Sequence, residues 1–207
     1  MIMNRQKFLL TFTAGLAAVA ASAQQHLVGG GCDGCELIYE GMPRQLSNTS
    51  YLPDWNEGGQ KMIVEGRVLK KDKHTPAAGI IVYIYHTDVK GHYSPAPGQV
   101  NGRRHGHIRG WIKTGSDGTY RFYTTMPVAY PGKDIPAHIH PIIKEPGINE
   151  YYIDEFLFDN DLLLTAGLRR RAENRGGPGI VKLTKDSNGW LMCRRDIVLG
   201  LNIPGYR

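Results

Sequence analysis

From about residue 62 onward, short apolar runs rich in β-branched and aromatic residues are separated by Gly, Pro and Asp. Met62, Val64 and Val68, then Ile80, Val82 and Ile84, then Tyr120 and Phe122, then residues 139–143 read as strands, since successive strand side chains point to opposite faces. Two further strands are predicted over 180–183 and 192–199. Residues 160–174 are the one helical candidate: Leu162, Leu163 and Leu164 precede a basic turn, and Gly176-Gly177-Pro178-Gly179 ends the pattern. Residues 24–60 are rich in Gly, Pro, Asn and Ser and predict an extended arm that wraps the domain or a neighbouring subunit. No internal repeat or low-complexity tract interrupts the chain. The predicted fold is all-β: a two-sheet antiparallel β-sandwich with an irregular N-terminal arm and at most one short helix.

A length of 207 residues suits a single core. Residues 1–23 read as a secretory signal, with Arg5 and Lys7 ahead of an apolar stretch over 8–20 and Ala21-Ser22-Ala23 as the cleavage site. The stretch is shorter than the roughly 20 residues that a membrane span requires. The expected organisation is therefore a signal at 1–23, an irregular arm at 24–60 and a β-sandwich domain at 61–207, with a periplasmic or extracellular location. Export favours a local disulfide between Cys32 and Cys35 over a zinc half-site or a redox dithiol, and Cys193 then reads as a small buried apolar residue.

Charge adds little. Loss of Arg5 and Lys7 lowers the net charge from +6 to +4. The basic clusters Arg103-Arg104-His105 and Arg169-Arg170-Arg171 come without any nucleic-acid motif, so they read as solvated faces, and no nucleic-acid partner is expected. His105 and His107, among Gly102, Gly106 and Gly110, read as a flexible solvated turn. His86 shares the parity of Val82 and Ile84 and reads as a satisfied core histidine.

Candidate chemistry begins in Pro136-Ala137-His138-Ile139-His140. On a strand, His138 and His140 point to one face while Ile139 turns away. Taken alone, such a pair is weak evidence for a metal and is more often satisfied by backbone partners. Among 11 tyrosines, none stands out unaided.

The frame around the pair is more specific. Gly79-Ile80-Ile81-Val82-Tyr83-Ile84-Tyr85-His86-Thr87-Asp88, Gly91-His92-Tyr93-Ser94, Thr114-Gly115-Ser116-Asp117-Gly118-Thr119-Tyr120-Arg121-Phe122 and Pro127-Val128-Ala129-Tyr130-Pro131-Gly132 precede it in order. This succession, over about residues 62–161, resembles the intradiol ring-cleavage dioxygenases, which include protocatechuate 3,4-dioxygenase and catechol 1,2-dioxygenase. The resemblance implies a metal set of Tyr93, Tyr130, His138 and His140 around Fe(III). Phenolate is a hard anion that suits a hard, high-valent cation. It further implies that a small aromatic diol and O2 are the substrates, that both oxygen atoms enter the ring to give a muconate-type diacid, and that Tyr130, displaced by the diol, accepts its proton.

Two departures bear on the substrate. Ile135 stands where protocatechuate dioxygenases carry an arginine, leaving Lys133 as the candidate positive charge. Glu155 takes the place of a family glutamine, which makes a carboxylated ring a poorer fit. The competing expectations are a non-catalytic transthyretin-like β-sandwich binding module and a cupin-like metal enzyme that would not need the tyrosines. A homo-oligomer is compatible with the arm.

Overall fold

The computed structural model describes residues 27–96, 98 and 102–207. The leader expected over residues 1–23 lies outside the described residues. Twelve strands are present among the described residues: β1 Thr49–Tyr51, β2 Lys61–Leu69, β3 Ile81–His86, β4 Arg109–Lys113, β5 Thr119–Thr125, β6 His138–Lys144, β7 Tyr151–Tyr152, β8 Phe156–Phe158, β9 Ile180–Val181, β10 Thr184–Lys185, β11 Leu191–Arg194 and β12 Ile197–Val198. They form two sheets. The first runs β1-β5-β2-β11-β10 with β12 also on β2, and the second runs β4-β3-β6-β8-β9 with β7 also on β6.

Alternation accounts for the layer between the sheets. Met62, Val64, Tyr120 and Phe122 from the first sheet meet Val82, Ile84, Ile139, Ile143 and Phe156 from the second in one buried cluster. Full burial of such a side chain stabilises by roughly 1.5–3 kcal/mol. Cys193 belongs to this layer as a buried free thiol, and His86 is satisfied there by the Thr87 carbonyl at 2.8 Å and Thr124 Oγ1 at 2.7 Å.

The sandwich departs from a purely antiparallel one. β1 on β5, β11 and β12 on β2, and β9 on β8 are parallel. Only strands joined by short turns are obliged to be antiparallel, and β1 and β11 lie far in sequence from β5 and β2, their parallel partners. The helix expected over 160–174 is confined to α2, Ala166–Arg170, capped by the Thr165 side chain on the Leu168 amide. Leu162 is 99% exposed, so the leucine run lacks the packing that would extend the helix. A second one-turn helix, α1 Gly102–His105, was not anticipated.

The arm covers the outer face of the second sheet. A 3-10 turn, Cys35–Tyr39, buries Cys35 and Ile38 against Tyr83, Tyr85 and Ile142. Trp111 Nε1 donates to the Ile38 carbonyl at 2.6 Å, and Tyr152 Oη donates to the Asp33 carbonyl at 3.0 Å. The sulfurs of Cys32 and Cys35 touch, with Cα atoms 5.5 Å apart, a separation that a disulfide spans. Farther along, β1 joins the first sheet, and a turn at Pro53–Asn56 buries the Asp54 carboxylate, which accepts from the Thr125 amide at 2.8 Å and from Thr124 Oγ1 at 2.9 Å. Both faces of the second sheet are thus covered, and the candidate site lies in its outer layer.

Candidate metal centre

Three chain segments meet at the end of β3 and β6. After β3, the Asp88 carboxylate accepts from the amides of Lys90 at 2.8 Å and His92 at 3.0 Å and from Ser94 Oγ at 2.7 Å, which shapes the loop carrying Tyr93. Partial burial of Asp88 would raise its pKa, but these donors outweigh it and hold the carboxyl below the usual range. Gly91 has φ 77°, and a Cβ there would stand 2.3 Å from the Ala129 carbonyl oxygen. Glycine therefore lets the Tyr93 loop lie directly against the Tyr130 loop.

The four residues expected to act together are brought together. Tyr93 Oη lies 2.6 Å from Tyr130 Oη, which lies 3.2 Å from His138 Nε2. His138 Nε2 is in turn 2.9 Å from His140 Nε2. His138 Nδ1 faces the Pro136 carbonyl at 2.7 Å and so carries its proton there, leaving the Nε2 lone pair directed into the cluster. Burial, with His138, His105 and His86 nearby, keeps the His140 imidazole neutral, well below its ordinary pKa. Burial also raises both phenols; for Tyr93 the Tyr130 hydroxyl adds to the effect. The arrangement can hold a cation that replaces the phenolic protons and takes the two imidazole lone pairs.

A stack supports the histidines. The Tyr85 ring lies 4.7 Å from that of His140 at 15° and 3.7 Å from that of His105 at 9°. His105 Nδ1 is 2.9 Å from Tyr83 Oη, and Tyr85 Oη is 3.2 Å from Tyr152 Oη. The solvated turn expected at His105 and His107 is overturned: His105 is 2% exposed, and His107 is engaged by the Ser94 carbonyl at 2.8 Å and by Glu57 at 3.0 Å. Gly106, with φ 66°, is a fixed left-handed position packed on the Tyr93 backbone. Tyr85 escaped sequence reasoning, although the parity of Tyr83 and Tyr85 with respect to Val82 and Ile84 places them on the sheet face that carries His138 and His140.

Glu155 and Lys133 are placed differently. Glu155 Oε1 is 3.7 Å from His140 Nδ1, on the side of the ring opposite Nε2. Lys133 is exposed in the turn after Tyr130, where its amide donates to the Tyr130 carbonyl at 3.2 Å. Ile135 is 44% exposed beside it.

A family model described as Dioxygenase matches residues 39–187. The chain belongs to the intradiol dioxygenase family. Among curated members it is similar to 6-chlorohydroxyquinol 1,2-dioxygenase of Cupriavidus pinatubonensis, 34% identical over 105 residues that cover 43% of this chain and 37% of that one. It is also similar to catechol 1,2-dioxygenase 1 of Acinetobacter lwoffii, 32% identical over 116 residues that cover 47% of this chain and 35% of the relative. The matched regions thus span about a third of the length of these relatives. The dioxygenase domain of a dioxygenase carbohydrate-binding protein fusion from Streptomyces sp. SirexAA-E shares the fold with a TM-score of 0.54 at 21% identity, over 76% of this chain and 90% of that chain. 3-Chlorocatechol 1,2-dioxygenase of Rhodococcus opacus 1CP shares it with a TM-score of 0.56 at 20% identity, over 74% of this chain and 66% of that chain. These dioxygenase matches do not favour a non-catalytic transthyretin-like module. No helix among the described residues is long and apolar enough to cross a membrane.

Proposed function

We propose that this protein is a non-haem Fe(III) intradiol dioxygenase that inserts both atoms of O2 into a catecholic ring to give a muconate-type diacid. The convergence of Tyr93, Tyr130, His138 and His140 within 2.6–3.2 Å contacts carries the reading. The donor set fits ferric iron: two phenolates supply hard anionic oxygens, and two neutral imidazoles supply directed lone pairs. Bound Fe(III) would withdraw electron density from the chelated diol and make the ring carbon reactive toward O2.

The chain's own residues divide the remaining work. Tyr93 is held against Tyr85, with ring centroids 5.9 Å apart, and suits the phenol that stays. Tyr130 sits on the outer loop with its hydroxyl only half-buried. It suits the phenol that leaves, and its raised pKa makes its phenolate a good acceptor for the diol proton. The Pro136 carbonyl fixes the ring of His138, while Tyr85 and the Glu155 carboxylate flank that of His140. Glu155 thus acts on His140 as a positioning residue, and Lys133 supplies positive charge at the rim. Ile135 in place of a cation favours a neutral catechol or hydroxyquinol over a carboxylated ring. The leader-like pattern at 1–23 and the Cys32–Cys35 contact together support an exported protein with that pair as a disulfide.

Oxygen uptake with product identification, using iron-loaded protein and a panel of catechol, hydroxyquinol and protocatechuate under isotopically labelled O2, tests the reading. Two labelled oxygens in a ring-opened diacid are expected. A colourless preparation that stays inactive after reconstitution with iron would refute it.

A further inference from the structure

The outer face of the first sheet, on the opposite side of the sandwich from the candidate metal centre, carries an unusual surface. Tyr51 on β1, Trp55 in the turn that follows it, Tyr123 on β5 and Trp190 at the entrance to β11 come from four separate segments. Their sequence neighbours Phe122 and Leu191 pack toward the layer between the sheets, so by alternation Tyr123 and Trp190 face outward. The rings gather. Tyr51 and Tyr123 stack at 4.3 Å and 5°, Trp55 meets them edge-on at 5.8 and 5.2 Å, and Trp190 meets Trp55 at 4.8 Å and 89°. Lys61 Nζ lies 4.4 Å from the Trp55 ring centre. Tyr51 is nevertheless 60% exposed, so ring surface remains open to solvent. These rings add nothing to the layer between the sheets, and an exposed aromatic cluster of this kind marks a binding surface.

A polar cleft of about 530 Å³ continues the same face, lined by Asn48, Thr49, Thr119, Glu65, Arg121 and Arg194 among others. Its charges are largely compensated. Arg121 donates to Glu65 at 2.9 and 2.6 Å, and Asp196 lies 3.9 Å from both Arg67 and Arg194. One net positive charge is then left for an anion, whereas hydroxyl groups find several amide, hydroxyl, carboxylate and guanidinium partners. Rings beside compensated polar groups match a sugar chain, whose C–H faces stack on aromatic rings while its hydroxyls reach the polar side chains. The four neighbouring strands β1, β5, β2 and β11 make the surface roughly 14 Å across, which suits an extended chain better than a single sugar.

We propose that this face binds neutral polysaccharide chains and anchors the protein on a carbohydrate matrix, with the metal centre on the other side left facing outward. The inference does not depend on the dioxygenase reading.

The test is depletion of the iron-loaded full chain by microcrystalline cellulose and by neutral arabinoxylan, across a series of loadings. Wild type is expected to bind at least one of them, with little change on an about tenfold rise in salt. Tyr51→Ala and Trp190→Ala are each expected to weaken binding about tenfold, the size of one lost aromatic stack. Tyr39→Ala, on the opposite face, should bind as wild type does. Tyr51 is exposed on an edge strand, so its variant should stay folded with only a modest drop in urea midpoint and carries the test if Trp190→Ala proves unstable. No depletion by either polymer overturns the proposal, as does undiminished binding by Tyr51→Ala or binding lost with salt. A concentration-dependent dimer that Tyr51→Ala abolishes would assign the face to a second copy of the chain and overturn it too.

Discussion

Tyr85 offers the sharpest test of how the candidate metal centre is held. Its ring is 5% exposed and lies between His140 at 4.7 Å and His105 at 3.7 Å, while its hydroxyl meets that of Tyr152 at 3.2 Å. Tyr85→Phe keeps both stacks and loses the hydroxyl contact, costing about 0.5–1.5 kcal/mol. Tyr85→Leu keeps apolar volume but loses both stacks, at about 0.5–1.5 kcal/mol each, in addition to the hydroxyl contact, so about 1.5–4.5 kcal/mol. Tyr85→Ala adds a cavity and should cost about 3–5 kcal/mol, a large share of a stability of about 5–15 kcal/mol. Urea unfolding of the metal-free protein measures this order directly. The same series, titrated with ferric iron, reads the effect on the site. In Tyr85→Leu the His140 ring is free to turn, and iron affinity should fall about tenfold, equivalent to about 1.4 kcal/mol, whereas Tyr85→Phe should bind nearly as wild type. If Tyr85→Leu is as stable as Tyr85→Phe and binds iron with unchanged affinity and colour, stacking is not what holds His140.

Three further outcomes are expected. Asp54→Ala strips a buried acceptor from the Thr125 amide and two hydroxyls, and the urea midpoint at neutral pH should report a loss of about 3 kcal/mol. Burial, with Arg109 and Arg104 nearby, pushes His105 down to about 3, so the unfolded chain takes up this proton first. The stability from neutral His105 is therefore full above about pH 6.5 and is lost as pH falls toward about 3, and His105→Gln should flatten that part of a pH series of urea midpoints. Cys193 is 2% exposed with its thiol pushed up to about 12, and Cys32 and Cys35 touch. Alkylation followed by mass should find no reactive thiol in the native chain and one after unfolding without reductant, and three would exclude the disulfide.

Much of the architecture was legible where periodicity and burial agree. Tyr120 and Phe122 flank Arg121, Ile139 stands between His138 and His140, and the strands lie where that alternation puts them. β4 was missed because Gly110 reads as loop punctuation. In the structure Gly110 sits in a strand because a Cβ there would stand 2.4 Å from Leu52 Cδ1, a close approach made by a residue 58 positions away. The helix at 160–174 was overcalled for the converse reason, since Leu162 finds nothing to cover it. At the centre itself, the strand parity of His138 and His140 was readable from local sequence. Their meeting with Tyr93 and Tyr130 was not, because it depends on two loops brought together at Gly91, and only the family resemblance anticipated it. The burial of His105 was illegible because its cover comes from β3, a separate strand.

The arm that roofs the second sheet ties the start of the described chain to segments more than a hundred residues later. Val28 and Asn149 exchange backbone-to-amide hydrogen bonds of 2.9 Å across 121 residues, and Arg175 reaches the Gly29 carbonyl at 2.8 Å across 146. Closing loops of that length precedes any return from the contacts they permit, which makes such topologies slow to form. Residues 27–40 are therefore expected to dock only after β6, the strand carrying both histidines, has formed. The layer around the candidate metal centre would then be sealed by the first segment of the described chain to leave the ribosome and among the last to find its place.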